Sequence, residues 1–315
     1  MATDLLSSVL GDAGLSRRLL DLSELTDRRA LRFPCERSIG LHLVLRGPVY
    51  LHAPQLPEPL ELQSGDIAVM ARGCDHVLST RPSLAGQKLE TIRVYEPAAD
   101  AALPPQARVL SGAYQLWHTP LHPFFAEMPA WSVLRAAEMP RLGPTALVAS
   151  LLAEEVRDGA PGADIVTHGL FDVVFTYALR QVMTGCAQAQ AGWSQAVRDP
   201  QVGRAVALMH GDPAHAWTLD ELAKSAGLSR TALAERFRAA MGDTPLNHLR
   251  TLRMQRAVKL LAESSRNLEA VAAAVGYQDA FSFSKVFKRT VGLSPKAFRQ
   301  LDVDQRQNPW RFQTA

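Results

Sequence analysis

Four side chains in the first quarter of the chain can do soft-metal or thiol chemistry: Cys35, His42, Cys74 and His76. Cys74 and His76 lie one residue apart, so on a strand they would face the same side, although Gly73 just before them makes a turn equally consistent. Two chemistries are open. Thiolates and imidazoles together suit a metal ion such as zinc. Alternatively, Cys74 is a redox-sensing thiol whose thiolate is favoured by a protonated His76. The plainer reading is that His76 hydrogen-bonds within a packed domain and the cysteines are small buried apolar groups. A disulfide between Cys35 and Cys74 would need α-carbons within about 7 Å. The third cysteine, Cys186, leaves an odd number without CxxC spacing, which excludes a disulfide scaffold and a common zinc-finger pattern.

A second set of residues lies on a repeat between Trp217 and Arg299. In its first copy Leu219, Leu222 and Ala223 lead to Gly227-Leu228-Ser229, then to Leu233 and Phe237, and close at Gly242 and Pro245. In the second, Leu268, Val271 and Ala272 lead to Gly276-Tyr277-Gln278, then to Phe283 and Phe287, and close at Gly292 and Pro295. This is a helix-turn-helix pattern written twice. Leu233 and Phe237, like Phe283 and Phe287, are four residues apart and share the buried face of their helix. The helix between the copies, from about Pro245 to Glu263, is roughly 28 Å long at about 1.5 Å per residue. It can hold two recognition helices about one duplex turn apart, roughly 34 Å.

Charge agrees with that placement. From 201 to 315 there are seventeen Lys and Arg against ten Asp and Glu, a net +7, whereas residues 1 to 200 carry −4. A basic end beside an acidic beginning suits a polyanionic partner. With 315 residues and 47% hydrophobic content, the chain can build two cores. Its apolar runs stop short of the roughly 18 residues a membrane span needs, and Asp4, Asp12, Arg17 and Arg18 break up the start, so a cytoplasmic protein with no membrane partner is expected.

The elements that must position these residues change character along the chain. Residues 1 to 30, with Leu5, Leu6, Val9 and Leu10 at helical spacing, predict a helix or two. From Leu31 to Tyr95 short apolar runs alternate with turn residues. Ile39 to Leu45, Val49 to His52, Asp66 to Met70 and Leu89 to Tyr95 predict strands of a small sandwich or barrel. Residues 97 to 130 read as a Pro-rich connection. Thr145 to Arg157 and Ile165 to Met183 predict an apolar helical pair, which either dimerises or packs on the barrel. Small polar residues from 187 to 200 read as a linker. The expected organisation is α+β multidomain: 1–130 a cupin-like β-barrel, 131–186 the helical pair, 187–200 a linker, and 201–303 an all-α domain of two helix-turn-helix units.

The repeat closely resembles the AraC/XylS family of bacterial transcription regulators, through Leu222-Ala223, Gly227, Leu233, Phe237, Gly242, Pro245, Val271-Ala272, Gly276-Tyr277, Phe283, Phe287-Lys288, Gly292 and Ser294-Pro295. Gly65, Ala71, Gly73 and His76 resemble the second motif of the cupin superfamily. Together with His42, Gly47, Asp66, Arg72 and His122-Pro123 they are similar to the sensor domain of one AraC subgroup. The first cupin motif's His-x-His pair and Glu are missing from Arg32 to Gly40, and His42 comes too late for it, which argues against a three-ligand catalytic metal and so against a cupin enzyme. The resemblance implies a regulator, not an enzyme, that binds double-stranded DNA, works with RNA polymerase as an activator, forms a homodimer and answers a small molecule or oxidant. Some relatives in that subgroup sense reactive chlorine or electrophiles through cysteines. No cofactor is required, a metal at Cys35, His42, Cys74 and His76 being the one candidate.

The DNA-facing positions follow by exclusion and agree with the family pattern. They are Arg230, Thr231, Ala234 and Glu235, flanked by Arg236 and Arg238, then Ala280, Phe281, Ser284 and Lys285, with Lys288 and Arg289 nearby. Thr231 and Ala234 suit a thymine methyl, Glu235 a cytosine amino group and Lys285 a guanine. Arg238, Lys288 and Arg289 suit phosphates. Each has a duller alternative: Glu235 pairs with Arg238, or Phe281 closes the second unit's core.

Overall fold

The structure is a computed structural model describing residues 18–35, 38–92, 105–115, 128–158, 160–185 and 199–306, together with Leu10 and Phe125. Two compact units emerge, one sheet-rich and one helical.

The sheet-rich unit holds two five-stranded sheets. The first has the order β1 (Arg18–Leu25), β9 (Ala107–Gln115), β3 (Ser38–Arg46), β6 (Ile67–Met70), β10 (Trp131–Leu134), paired antiparallel throughout. The second has the order β5 (Leu60–Leu62), β4 (Val49–His52), β7 (Asp75–Ser79), β2 (Arg29–Pro34), β8 (Lys88–Thr91), with β8 parallel to β2. Leu31, Phe33, Leu51 and Leu78 of one sheet and Val44, Ala68, Val109 and Trp131 of the other form a single core, so the sheets face each other.

Turn chemistry fixes the joints. Gly65 takes φ +85°, and the buried Asp66 after it accepts from Gln63 N (3.0 Å), Ala136 N (2.8 Å) and Arg135 Nη1 (2.8 Å). One carboxylate thereby ties the turn before β6 to the segment after β10. Gly73 allows a close approach, since a β-carbon there would stand 2.0 Å from the Cys35 carbonyl oxygen and 2.6 Å from Ser38 N.

Three expectations are corrected. Residues 18–25 form β1 and not a helix, because eight of them pair in register with β9 and that ladder outweighs helical spacing. Leu10 is helical, and residues 1–9 and 11–17 lie outside the described residues. The stretch 97–130 is not only a connection, since it contains β9, the strand between β1 and β3. Strand β9 was hidden by its small residues: a β-carbon on Gly112 would lie 2.2 Å from the Phe171 ring. The sheet also runs past residue 130, through β10.

Helices α1 (Pro144–Asp158) and α2 (Ala163–Gly185) belong to this unit and pack on each other. Fully buried Phe171 and Phe175 of α2 meet Tyr114 of β9, whose hydroxyl donates to Asp172. No helix among the described residues is long and apolar enough to cross a membrane.

The helical unit contains α3 (Pro200–Gly211), α4 (Leu219–Ala226), α5 (Arg230–Met241), α6 (Pro245–Glu263), α7 (Leu268–Ala274), α8 (Ala280–Val291) and α9 (Pro295–Arg306). Every one starts at a side-chain cap, from Asp199, Thr218, Ser229, Thr244, Asn267, Asp279 and Ser294 in turn. Gly227, Gly242 and Gly292 end α4, α5 and α8 in the left-handed conformation. The expected linker 187–200 falls mostly outside the described residues, and Asp199-Pro200 already starts α3.

Candidate nucleic-acid interface and buried histidine pair

Each helix-turn-helix unit buries one side of its second helix. Leu233 and Phe237 of α5, and Phe283 and Phe287 of α8, are wholly buried. Helix α6 serves both units, for its Leu249 and Leu252 are buried in the first half while Met254, Ala257, Val258 and Leu261 join Val271, Phe283 and Phe287 in the second core. Unmentioned by the repeat, α3 packs Val202, Ala205, Val206 and Met209 inward and contacts α4 and α5. The Asp-Pro pair at its start was the available signal.

The opposite faces point to solvent. On α5 Arg230, Thr231, Glu235, Arg236 and Arg238 are exposed and Ala234 is half-buried. Glu235 and Arg238 form no ion pair, with each other or with any described residue. Arg230 meets Asp220 at 3.1 Å in an exposed pair, an arrangement worth little in water. Arg236 turns aside: its Nη1 donates to Gln201 Oε1 and lies 3.8 Å from Asp199 Oδ2, so it holds α5 to α3. On α8 Phe281 is 81% exposed and so closes no core. Lys285, Lys288 and Arg289 are exposed beside it, whereas Ala280 and Ser284 are half-buried, and the Ser284 hydroxyl donates to Ala280 O at 2.6 Å.

In the sheet-rich unit the four chemistry-bearing residues separate into two pairs. His42 on β3 and His76 on β7 face each other across the core, their Nε2 atoms 2.8 Å apart. His76 Nδ1 lies 2.9 Å from the Cys74 carbonyl oxygen, and His42 Nδ1 lies 2.8 Å from Ser111 Oγ. A carbonyl only accepts, so His76 Nδ1 carries a hydrogen and, in the neutral ring, its Nε2 is bare. His42 Nε2 therefore donates, and the Ser111 hydroxyl donates to His42 Nδ1. The chain of three runs one way, with no hydrogen left over. Phe33 stacks on His76 at 5.3 Å between centroids, and Trp131 packs against both imidazoles. Burial drives the His42 imidazole well below its ordinary 6.5, with His76 adding to the effect, and takes His76 down to about 4.

The cysteines sit beside this pair. The β2–β7 register matches Phe33 with His76 and Pro34 with Asp75, so its continuation sets Cys35 opposite Cys74. Both are buried free thiols. Burial pushes Cys35 up to about 12 and raises Cys74 as well. His76 turns its nitrogens to His42 and a backbone carbonyl, and stays neutral, so it supplies no cation for a Cys74 thiolate. Among the described residues no three His, Cys, Asp or Glu gather as metal ligands. A cleft is lined by Asp21, Cys35, His42 and Ser111 among apolar residues including Phe33 and Leu41. Asp21 and Ser111 had no sequence signal, each being one polar residue in a strand. Glu36, Arg37 and His122-Pro123 lie outside the described residues.

Comparison with known proteins follows the same division. The Cupin family model matches residues 4–184, more than half of the chain, and the Helix-turn-helix domain model matches residues 222–301. A putative AraC-like transcription regulator of Streptomyces lividans is 26% identical over 87% of this chain and 90% of its own length.

This chain belongs to the AraC-type transcription regulators.

Other relatives include the HTH-type transcriptional regulator AlkR of Acinetobacter baylyi, 26% identical over 94% of this chain and 99% of its own. The RCS-specific HTH-type transcriptional activator RclR of Escherichia coli is 32% identical over 47% of this chain and 52% of its own. An AraC-type regulator binds DNA through its helix-turn-helix domain, and its relatives are named as regulators rather than enzymes.

The neutral histidine pair makes stability depend on pH. Folded values lie below 6.5, so the unfolded chain takes up the protons first. The pair's contribution is complete above about pH 6.5 and is lost as pH falls toward 4. Urea unfolding of the His76→Leu protein is expected to show a flatter loss of stability than wild type between those values. Parallel profiles would refute the neutral assignment.

Proposed function

We propose that this regulator reads two adjacent DNA half-sites with α5 and α8, acts as a homodimer and an activator, and is gated by a small molecule bound inside the cupin domain. The exposed faces of two consecutive recognition helices, backed by fully buried aromatic and leucine side chains, carry the DNA part of this reading. Phe281 reaches for a thymine methyl and Lys285 for guanine, with Thr231 and Glu235 reading bases from α5. Lys288, Arg289 and Arg238 hold phosphates and set affinity. The activator assignment is supported by the Escherichia coli relative, which is named a transcriptional activator, and an activator of this kind would take RNA polymerase as its partner.

The dimer reading rests on a stripe of apolar residues on α1 and α2. Leu147 and Leu151 are four apart and 46% and 54% exposed, and Ile165 and Val173 are 81% and 41% exposed. The small-molecule reading rests on the cleft, where the Asp21 carboxyl and the Ser111 oxygen offer polar contacts in an otherwise apolar wall. Cysteine sensing is the second reading, favoured by the register that sets Cys35 opposite Cys74.

DNA selected by the wild-type protein from a random pool tests the interface. Phe281→Ala and Lys285→Ala are each expected to cost about 1–3 kcal/mol on selected DNA and much less on scrambled DNA, whereas Lys288→Ala weakens both alike and lowers the salt slope by about 1. Equal losses on both DNAs for Phe281→Ala and Lys285→Ala would sink the base-reading assignment. Sedimentation of a Leu151→Lys, Val173→Lys protein is expected to give monomers where wild type gives dimers; dimers in the variant rule this face out. Mild oxidation is expected to leave binding to the selected DNA unchanged, as protonated buried thiols react slowly. A change that Cys35→Ser or Cys74→Ser abolishes would transfer the signal to the cysteines.

A further inference from the structure

We infer that Arg253 is a positioning residue that sets the distance between the two recognition helices, and hence the half-site spacing the protein accepts, by clamping the segment before α4 to the turn of the second unit. This rests on the reading that α5 and α8 engage DNA together.

The segment from Asp212 to Trp217 joins α3 to α4 and has no helical partners for its carbonyl groups. Part of its order is internal: Trp217 Nε1 donates to Asp212 O at 2.9 Å, His215 N to Asp212 Oδ1 at 3.2 Å, and Trp217 N to His215 O at 2.8 Å. The rest comes from α6. Arg253 Nε donates to Pro213 O and its Nη2 to His215 O, each at 2.8 Å. Two bonds from one rigid guanidinium plane fix both position and angle, which a single flexible ammonium cannot do.

The second unit closes on the same place. Gly276 has φ +80°, and a β-carbon there would stand 2.4 Å from Ala214 O. The backbone of the second turn therefore lies directly on the segment that Arg253 holds. Tyr277, next in sequence, places its ring 5.8 Å from Arg253 Cζ, within cation–π range, and meets Phe283 of α8 edge-on at 5.7 Å. Thus a path of contacts runs from the start of α4 through Arg253 and Tyr277 to the base of α8. Arg253 stands between Leu252, which is buried, and Met254, a member of the second core. Sharing α6 leaves each unit free to rock about that helix, and the Arg253 clamp opposes the rocking.

The test compares two DNA duplexes: one selected by the full-length wild-type protein from a random pool, and the same duplex with one base pair inserted between its half-sites. Wild type is expected to lose affinity on the order of tenfold to a hundredfold on the longer duplex. Arg253→Lys is expected to bind the selected duplex within a fewfold of wild type and to lose much less on insertion, with its near-ultraviolet circular dichroism unchanged. If Arg253→Lys fails to fold, Gly276→Ala, whose methyl group would stand 2.4 Å from Ala214 O and 2.9 Å from Arg253 Nη2 and so loosens the clamp from the other side, reads the same ratio. A folded variant that discriminates spacing as wild type does, or that weakens on both duplexes equally, overturns the role of Arg253. If wild type itself ignores the insertion, the two-helix reading fails before the clamp is tested.

Discussion

The DNA-binding half depends on one helix being buried in two cores at once. Helix α6 contacts α3 and α5 of the first unit and gives Met254, Ala257, Val258 and Leu261 to the core of the second, so both units are built on the same helix. Its nineteen residues span roughly 28 Å at about 1.5 Å per residue, close to the one duplex turn that the proposed reading requires between α5 and α8. The recognition residues are free to be polar because the apolar demand is met on their hidden sides by Phe237, Phe283 and Phe287. On the proposed reading, specificity and packing use different faces of the same short helices.

The cupin half follows a different rule, that a buried polar group must find a partner. His42 and His76 satisfy each other and are completed by Ser111 and the Cys74 carbonyl, with Phe33 and Trp131 closing around them. Strand β9 works on both sides. Ser111 turns inward to His42, while Gly112 and Tyr114 turn outward to α2. The interior of the sandwich and the helix that borders it are therefore read by neighbouring residues of one strand.

The repeat was legible because its physics is local and doubled. Paired apolar residues four apart and glycines at left-handed positions such as Gly227, Gly242 and Gly292 recur at matching offsets, and the helices appear where they predict. The first domain was legible only where turn residues bound an apolar run, as at β3, β4 and β6. Strands β1 and β9 were not, for their identity comes from pairing with each other, and Gly112 answers to Phe171 nearly sixty residues away. Among chemistry-bearing residues, types were readable and partners were not. Cys74 and His76 are close in sequence yet turn to different neighbours, whereas His42 and His76, thirty-four apart, share a hydrogen bond. Arg236 looked in sequence like its neighbours on α5, and its bond to Gln201 of α3 was not readable there.

The caps on α3 through α9 have a consequence for how such proteins arise. Each helix of the DNA-binding unit has its first free backbone donors met by its own Asp, Thr, Ser or Asn, at about 1 kcal/mol per cap. At each of those ends the capping side chain comes from the helical unit itself. A reading head that closes its own helix ends can be joined by recombination to many different sensors, and keep its grip on the operator while the signal it obeys is exchanged.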